Sequence, residues 1–361
     1  MKLWMPWLTC LVLAALGAGP GPARAGEPQG PRTLIVAAVQ TANLDHAYTE
    51  SRERAERLIA EAAGRGARLV LLPEFALIGY RFHDDLWQMA EPLEGPTVAW
   101  MRELCRRYQI YLATCILEVR DQDFYDTLVL VGPGEGELWT HRKIEPALFE
   151  ARYFKGAGLN PAVFETPLGR IGFAICYDTS KAHTVRNLLA DRPELLVMTF
   201  SAPETPKPMP EKIRRQTIDS QYSLPVTFAQ ILGAPVISCS KTGRFDSPFP
   251  GVPGLHLRSD FEGRSRIVAP DGAVLAALEK EEGVIVAEVE LGQGIEPRPQ
   301  DIPEGRWLAQ FSGLIRWFSD YTLHQGEHRY ERSEARREAV AEAKARNPAS
   351  SLPSGDSGNE D

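Results

Sequence analysis

Apolar positions recur along this chain with two different periods. Runs rich in β-branched and aliphatic residues at 33–40, 67–72, 110–119, 124–131, 138–144, 169–175, 195–199, 235–239 and 283–289 predict strands. Between them the spacing lengthens to that of a helix. In 48–64, Ala55, Leu58, Ile59 and Ala62 share one face and Gly64 closes the segment; 97–108 and 182–191 also read as helices, as does a long stretch at 212–232 that Pro225 should break or bend. A strand, a helix and a strand form a crossover unit with parallel pairing. The turn Gly132-Pro133-Gly134-Glu135-Gly136 and the segment 265–276 signal hairpins, so the sheet structure should be mixed. Two interruptions, the Pro-rich 202–210 and the longer 243–263, read as loops, and loops of the latter length are usually functional or mobile. No break in composition divides 33–291, which reads as one domain.

The two ends differ from this pattern. Lys2 precedes an apolar run from Leu3 to Ala18, and Ala23-Arg24-Ala25 before Gly26 fits a cleavage site, so 1–25 is expected to be a secretory signal peptide and 26–32 a short lead. Without cleavage the same run would be a membrane anchor, the only membrane association expected. Residues 292–346 form a C-terminal extension. Its aromatic-rich segment from Arg306 to Phe318 is expected to cover a partner subunit, and the chain from Glu327 is dense in charge and helix formers. The Ser, Pro, Gly and acid composition of 347–361 predicts a disordered tail.

Charge narrows the partners. The formal net charge is −8 over 361 residues, with no basic stretch interleaved with aromatics, which argues against nucleic acid. Export implies an oxidising compartment for the four cysteines beyond the leader, Cys105, Cys115, Cys176 and Cys239. They read as packed core thiols, with a Cys105–Cys115 disulfide left open. No zinc-type ligand spacing occurs, and no cofactor is expected.

Three stretches carry the chemistry. Leu71-Leu72-Pro73-Glu74-Phe75 puts a carboxylate just after one apolar strand, His141-Arg142-Lys143-Ile144-Glu145 an ammonium at the end of another, and Ile175-Cys176-Tyr177-Asp178 a thiol at a strand-to-helix bend. This order and context resembles the nitrilase superfamily of carbon-nitrogen hydrolases, and the likeness extends from Thr33 to Leu291, including the segment from Gly263 to Gly272. A physical account runs in parallel. A free thiol is mostly protonated at neutral pH, so attack on an amide carbon needs a base, and Glu74 suits that role. Lys143, being charged, suits stabilisation of the tetrahedral oxyanion beside the backbone N–H of Tyr177. Glu, Lys and Cys at the carboxyl ends of three strands would meet at one rim of a sheet.

The resemblance implies more. It predicts a four-layer α-β-β-α sandwich of two mixed sheets with helices outside, and dimers or higher homo-oligomers. It places Glu150 near the lysine, Arg186 near an acid such as Asp178, and Tyr80, Phe154, Phe200, Ser201 and Ala202 near the acyl pocket. The chain departs from the family where Ala182-His183 replaces a Pro-Glu pair; His183 reads as a solvated helix residue and Cys239 has no assigned role. Tyr177-Asp178 leans toward amides, because nitrile-cleaving relatives usually have Trp-Glu there. The expected activity is hydrolysis of a small linear amide or carbamoyl compound through a thioester. Acyl transfer to an amine and nitrile hydrolysis are the enzymatic alternatives, and a catalytically silent binding protein is the non-enzymatic one.

Overall fold

The computed structural model describes residues 31–45, 47–205, 209–292 and 313–346. The leader at 1–25, most of the lead at 26–32, the tail at 347–361 and the 306–312 part of the aromatic-rich segment lie outside the described residues.

The first half of the chain supplies β1 (Arg32–Gln40), α1 (Tyr48–Gly64), β2 (Leu69–Leu71), α2 (Pro96–Tyr108), β3 (Tyr111–Arg120), β4 (Asp123–Val131) and β5 (Leu138–Arg142). The second supplies β6 (Val163–Thr166), β7 (Gly169–Ile175), α3 (Ala182–Asp191), β8 (Leu195–Phe200), α4 (Glu211–Leu232), β9 (Val236–Ser240), β10 (Thr242–Pro248), β11 (His256–Glu262), β12 (Arg266–Val268), β13 (Val274–Ala277) and β14 (Gly283–Leu291). Helices α5 (Gly313–Arg332) and α6 (Glu334–Arg346) follow.

Two six-stranded sheets result, ordered β14-β1-β2-β3-β4-β5 and β13-β12-β9-β8-β7-β6. Each has three parallel strands at its centre, β1-β2-β3 and β7-β8-β9, with antiparallel strands outside them. The strands β1 and β2 lie against β9, so the sheets face each other, while α1 and α2 cover the first sheet and α4 the second. Such strands are covered on both faces, which is why they read as continuous apolar runs rather than alternating ones. Val36, Ala37, Ala38 and Val39 of β1 are fully buried, as are Leu195 to Met198 of β8. On α1 the buried positions Ser51, Ala55, Ile59 and Ala62 fall at helical spacing on the face toward the sheet. The architecture is the expected α-β-β-α sandwich.

Two expectations need correction. Residues 243–263 are mostly not loop: β10 and β11 pair antiparallel from Thr242↔Glu262 to Pro248↔His256. The alternation is easy to miss, since the inward positions of β10 include the polar Thr242 and Ser247 and only one aromatic, Phe245. Helix α4 continues through Pro225; the proline lacks the N–H that would reach Gln221, yet the turns on either side hold. Phe318 turns inward onto Phe149, their rings 5.8 Å apart and edge to face, while Trp317 and Tyr321 stack on the exposed side.

The extension is fastened to its own chain. The N–H of Phe124 donates to Tyr330, and Arg336 donates to Gln122 and Asp123. Gly326 lies so close to Ala151 that a Cβ there would come within 2.9 Å of its methyl group. Cys105 and Cys115 are free thiols; Cys105 donates to the carbonyl of Val131 at 3.3 Å. Among the described residues no helix is long and apolar enough to cross a membrane.

Candidate active site

The short strand β2 ends in the segment that carries Glu74, and this segment is pinned from the ends of β8 and β9 in the facing sheet and by β3 of its own sheet. Four consecutive carbonyls each accept a side-chain donor: Leu72 from Thr199 at 3.2 Å, Pro73 from Thr114 at 3.1 Å, Glu74 from Ser201 at 2.6 Å and Phe75 from Lys241 at 2.6 Å. All four donors are buried. Phe75 has a left-handed φ of 48°, which a non-glycine residue adopts only when its surroundings hold it. The carboxylate of Glu74 is thereby fixed in position without a helix or loop to support it.

Lys143 follows β5, its N–H donating to the carbonyl of Asp126 at 2.8 Å. Its fully buried ammonium donates to Glu74 Oε1 at 2.6 Å, lies 2.8 Å from Glu150 Oε2, and is 3.5 Å from Asp126 Oδ2. The Phe154 ring is behind it at 5.7 Å. Burial alone would depress the lysine pKa, but Glu150 and Glu74, with Cys176 and Asp126, outweigh it and hold the group charged well above the usual lysine range. Three carboxyl groups around one ammonium cannot all ionise cheaply. Burial and then Glu74 push Asp126 well up, so it is the neutral acid of the cluster, and burial also raises Glu150. Glu150 is held in turn by the N–H of Ala147 at 2.6 Å and the hydroxyl of Tyr80 at 2.5 Å.

Cys176 ends β7 and opens a 3₁₀ turn over Cys176–Ser180, with a left-handed φ of 43°. Thr179 donates to its carbonyl at 2.6 Å, closing the bend. Tyr177 is the second residue of this turn. Burial, then Glu74, drives the thiol pKa well up, while the N–H of Ser201 opposes the shift, so the resting sulfur is protonated. Asp178 ties the turn at Cys176 to the loop at Lys143: its carboxylate accepts from the N–H of Ile144 at 3.0 Å and of Glu145 at 3.1 Å. These contacts, rather than one with Arg186, are where its oxygens point. Burial raises its pKa to about 7.

A cavity of about 430 Å³ opens over the sulfur. Cys176, Tyr80, Phe200, Ser201 and Ala202 line it, whereas Phe154 packs behind Lys143. Lys143 and Glu74 lie behind the cysteine with no side-chain exposure. His183 is half-buried, 3.9 Å from Glu145, and Cys239 donates to Val39 in the seam between the sheets. Among the described residues no group of His, Cys, Asp or Glu is arranged to hold a metal ion.

A sequence profile described as carbon-nitrogen hydrolase matches residues 35–298. The chain belongs to the carbon-nitrogen hydrolase family. Its curated relatives include an N-carbamoylputrescine amidase from Arabidopsis thaliana, 26% identical over 72% of this chain and 87% of the relative, and a nitrilase from Pyrococcus abyssi, 29% identical over 66% and 82%. Among solved structures, a carbon-nitrogen hydrolase from Helicobacter pylori G27 superposes with a TM-score of 0.64 at 19% identity, covering 72% of this chain and 89% of that one. Members of this carbon-nitrogen hydrolase family act on C–N bonds, as amidases, nitrilases and carbamoyl amidases.

Several residues of the site escape a linear reading. Asp126 leaves one trace, a carboxyl group at a fully buried position within β4. Lys241 follows β9 much as Lys143 follows β5, a parallel visible only when both strands are assigned. Burial lowers its pKa to about 7, so near neutrality the amine that donates to the Phe75 carbonyl is only partly charged.

Proposed function

We propose that this carbon-nitrogen hydrolase is an exported amidase that cleaves small linear amide or carbamoyl compounds through a thioester on Cys176. The observation that carries the reading is the Lys143 ammonium clamped between Glu74 and Glu150 beside a buried thiol on a strained bend. Cys176 Sγ attacks the carbonyl carbon as its proton passes to Glu74, which suits a thiol that rests protonated. The oxyanion is met by the fixed charge of Lys143 and the N–H of Tyr177, donors that need no reorganisation. Glu74 then returns the proton to nitrogen, the C–N bond breaks and ammonia or an amine leaves. Water attacks the thioester while Glu74 takes its proton; the C–S bond breaks and the thiol is restored. Glu150 and Asp178 keep the lysine loop in register.

Intact-mass measurement after rapid mixing with an amide should detect an acyl group on Cys176, with ammonia released in proportion to turnover. Product analysis with an added amine distinguishes hydrolysis from acyl transfer. Export is supported by the leader pattern at 1–25, and N-terminal sequencing of the secreted protein, expected to begin at Gly26, tests it. Dimerisation is supported only by the exposed Trp317–Tyr321 pair, and sedimentation at micromolar concentration tests it.

A further inference from the structure

The wall of the cavity over Cys176 narrows the substrate. Beyond the polar rim around the sulfur it is built mainly from Phe82, Phe149, Leu224, Phe245, Leu257 and Phe318, with Thr205, Thr217, Gln221 and Ser319 as uncharged polar members. Among the described lining residues Glu204 alone is charged, and it is matched by Arg214 at 2.7 Å and Lys280 at 3.6 Å. A cationic chain entering this space would lose its water and gain no free carboxylate, whereas an apolar chain would only gain. At about 430 Å³ the space also far exceeds what an amide of one or two carbons fills.

The orientation follows from the charge of the products. A leaving alkylamine is protonated at neutral pH and would be poorly housed among aromatic rings, while the acyl chain stays neutral until the thioester is hydrolysed. The wall therefore suits the acyl side, with ammonia as the small leaving group. Part of this wall comes from outside the 35–298 match: Phe318 on α5 lines the cavity and packs on Phe149, with Trp317 at its mouth. The extension is clamped over the turn that bears Glu150, which gives its aromatic pair a fixed place.

We propose that the substrates are primary amides of apolar carboxylic acids, aliphatic chains of several carbons or arylacetic acids, and that α5 supplies the outer wall that selects them. This rests on the hydrolase reading above. The test measures kcat/KM by ammonia release for acetamide, butanamide, hexanamide, phenylacetamide and the cationic N-carbamoylputrescine, using the full protein. The value should rise about threefold to fourfold per added methylene until the cavity is filled, and phenylacetamide should exceed acetamide. Phe318→Ala should lower the hexanamide-to-acetamide ratio about fivefold, and Phe318→Leu should restore most of it. A ratio taken within one protein cancels losses of folded enzyme; should Phe318→Ala fail to fold, Leu257→Ala carries the same readout. Flat dependence on chain length, preference for the cationic compound, or ratios that these substitutions leave unchanged would overturn the proposal while leaving the hydrolase intact. No ammonia from any compound, with no acyl group on Cys176, would overturn the hydrolase reading and this inference with it.

Discussion

The floor and the wall of the cavity are built on opposite principles. The floor is charge-dense and closed: one ammonium, three carboxyl groups and a thiol are gathered there, with Lys143 and Glu74 shut away from solvent. The wall is aromatic and has almost no polar partner to satisfy. Its rings meet edge to face or tilted, as in Tyr80 with Phe245 and Phe82 with Phe149. Directional bonds in a dry setting fix atoms well enough for proton transfer, and a misplaced group there is costly. Ring packing fixes volume more than position and tolerates exchange. Chemistry and selection are thus assigned to parts of the molecule that can change separately.

Substitutions should divide along that line, floor changes slowing every substrate alike and wall changes altering the ranking among substrates. Cys176→Ala should have the largest effect, lowering kcat by about 10⁴-fold or more and abolishing the acyl adduct; retained turnover would remove the thiol from the mechanism. Glu74→Gln should cost about 10²-fold to 10⁴-fold in kcat. Lys143→Met should cost about 10²-fold to 10³-fold through the lost oxyanion partner. It should also lower stability to urea by about 3–5 kcal/mol, because the surrounding carboxyl groups lose their counter-charge. If either changed the hexanamide-to-acetamide ratio as much as Phe318→Ala does, the division between floor and wall would fail.

Smaller effects should come from the residues that position the floor. Asp178 works as a carboxylate accepting two backbone N–H groups, and its pKa near 7 means that it takes up a proton as the pH falls through about 7, weakening one of these bonds. Activity should therefore be full above pH 7 and decline below it. Asp178→Asn should cost about 10-fold and flatten that acid limb, which pH profiles of kcat for the two proteins will show.

Lys241 should give the smallest effect, and one on stability. Its folded pKa is depressed to about 7 from the 10.5 of a free lysine, so between those values the unfolded chain binds a proton that the native state does not. Stability gains from this group as the pH rises from 7 to 10.5, and the gain is absent below 7. In Lys241→Met the difference from the parent in urea midpoint should change steadily across that window. Parallel midpoints at pH 7, 8.5 and 10 would show that the amine is charged in the fold.

Much of this could be read along the chain, and the misses have a common cause. Strands buried on both faces announce themselves, so most strands were legible in outline, while their division into two sheets came from the family resemblance; Glu74, Lys143 and Cys176 stood out because each lies at the end of a strand-like run. The pairing of β14 with β1 was not legible, since β14 comes some 240 residues after its partner and no local signal records it. Nor was the hairpin of β10 and β11, whose inward positions are partly polar. The same holds for the donors to the carbonyls of 72–75: a serine or threonine in a strand looks like any other until the facing strand is known.

The sequence by itself determined what is local: where the chain extends or coils, and which side chains able to exchange protons or attack carbon lie at strand ends. Only the tertiary structure decided which of these groups share a site and in what state. Burial keeps Cys176 protonated and Asp126 neutral, while the acidic neighbours keep Lys143 charged against its own burial, and these are properties of groups brought together from distant parts of the chain. The proposed selectivity has the same origin. Phe318 becomes a wall of the cavity only because α5 folds back over the turn at Glu150, and an aromatic residue's position in the sequence carries no mark of the surface it will cover.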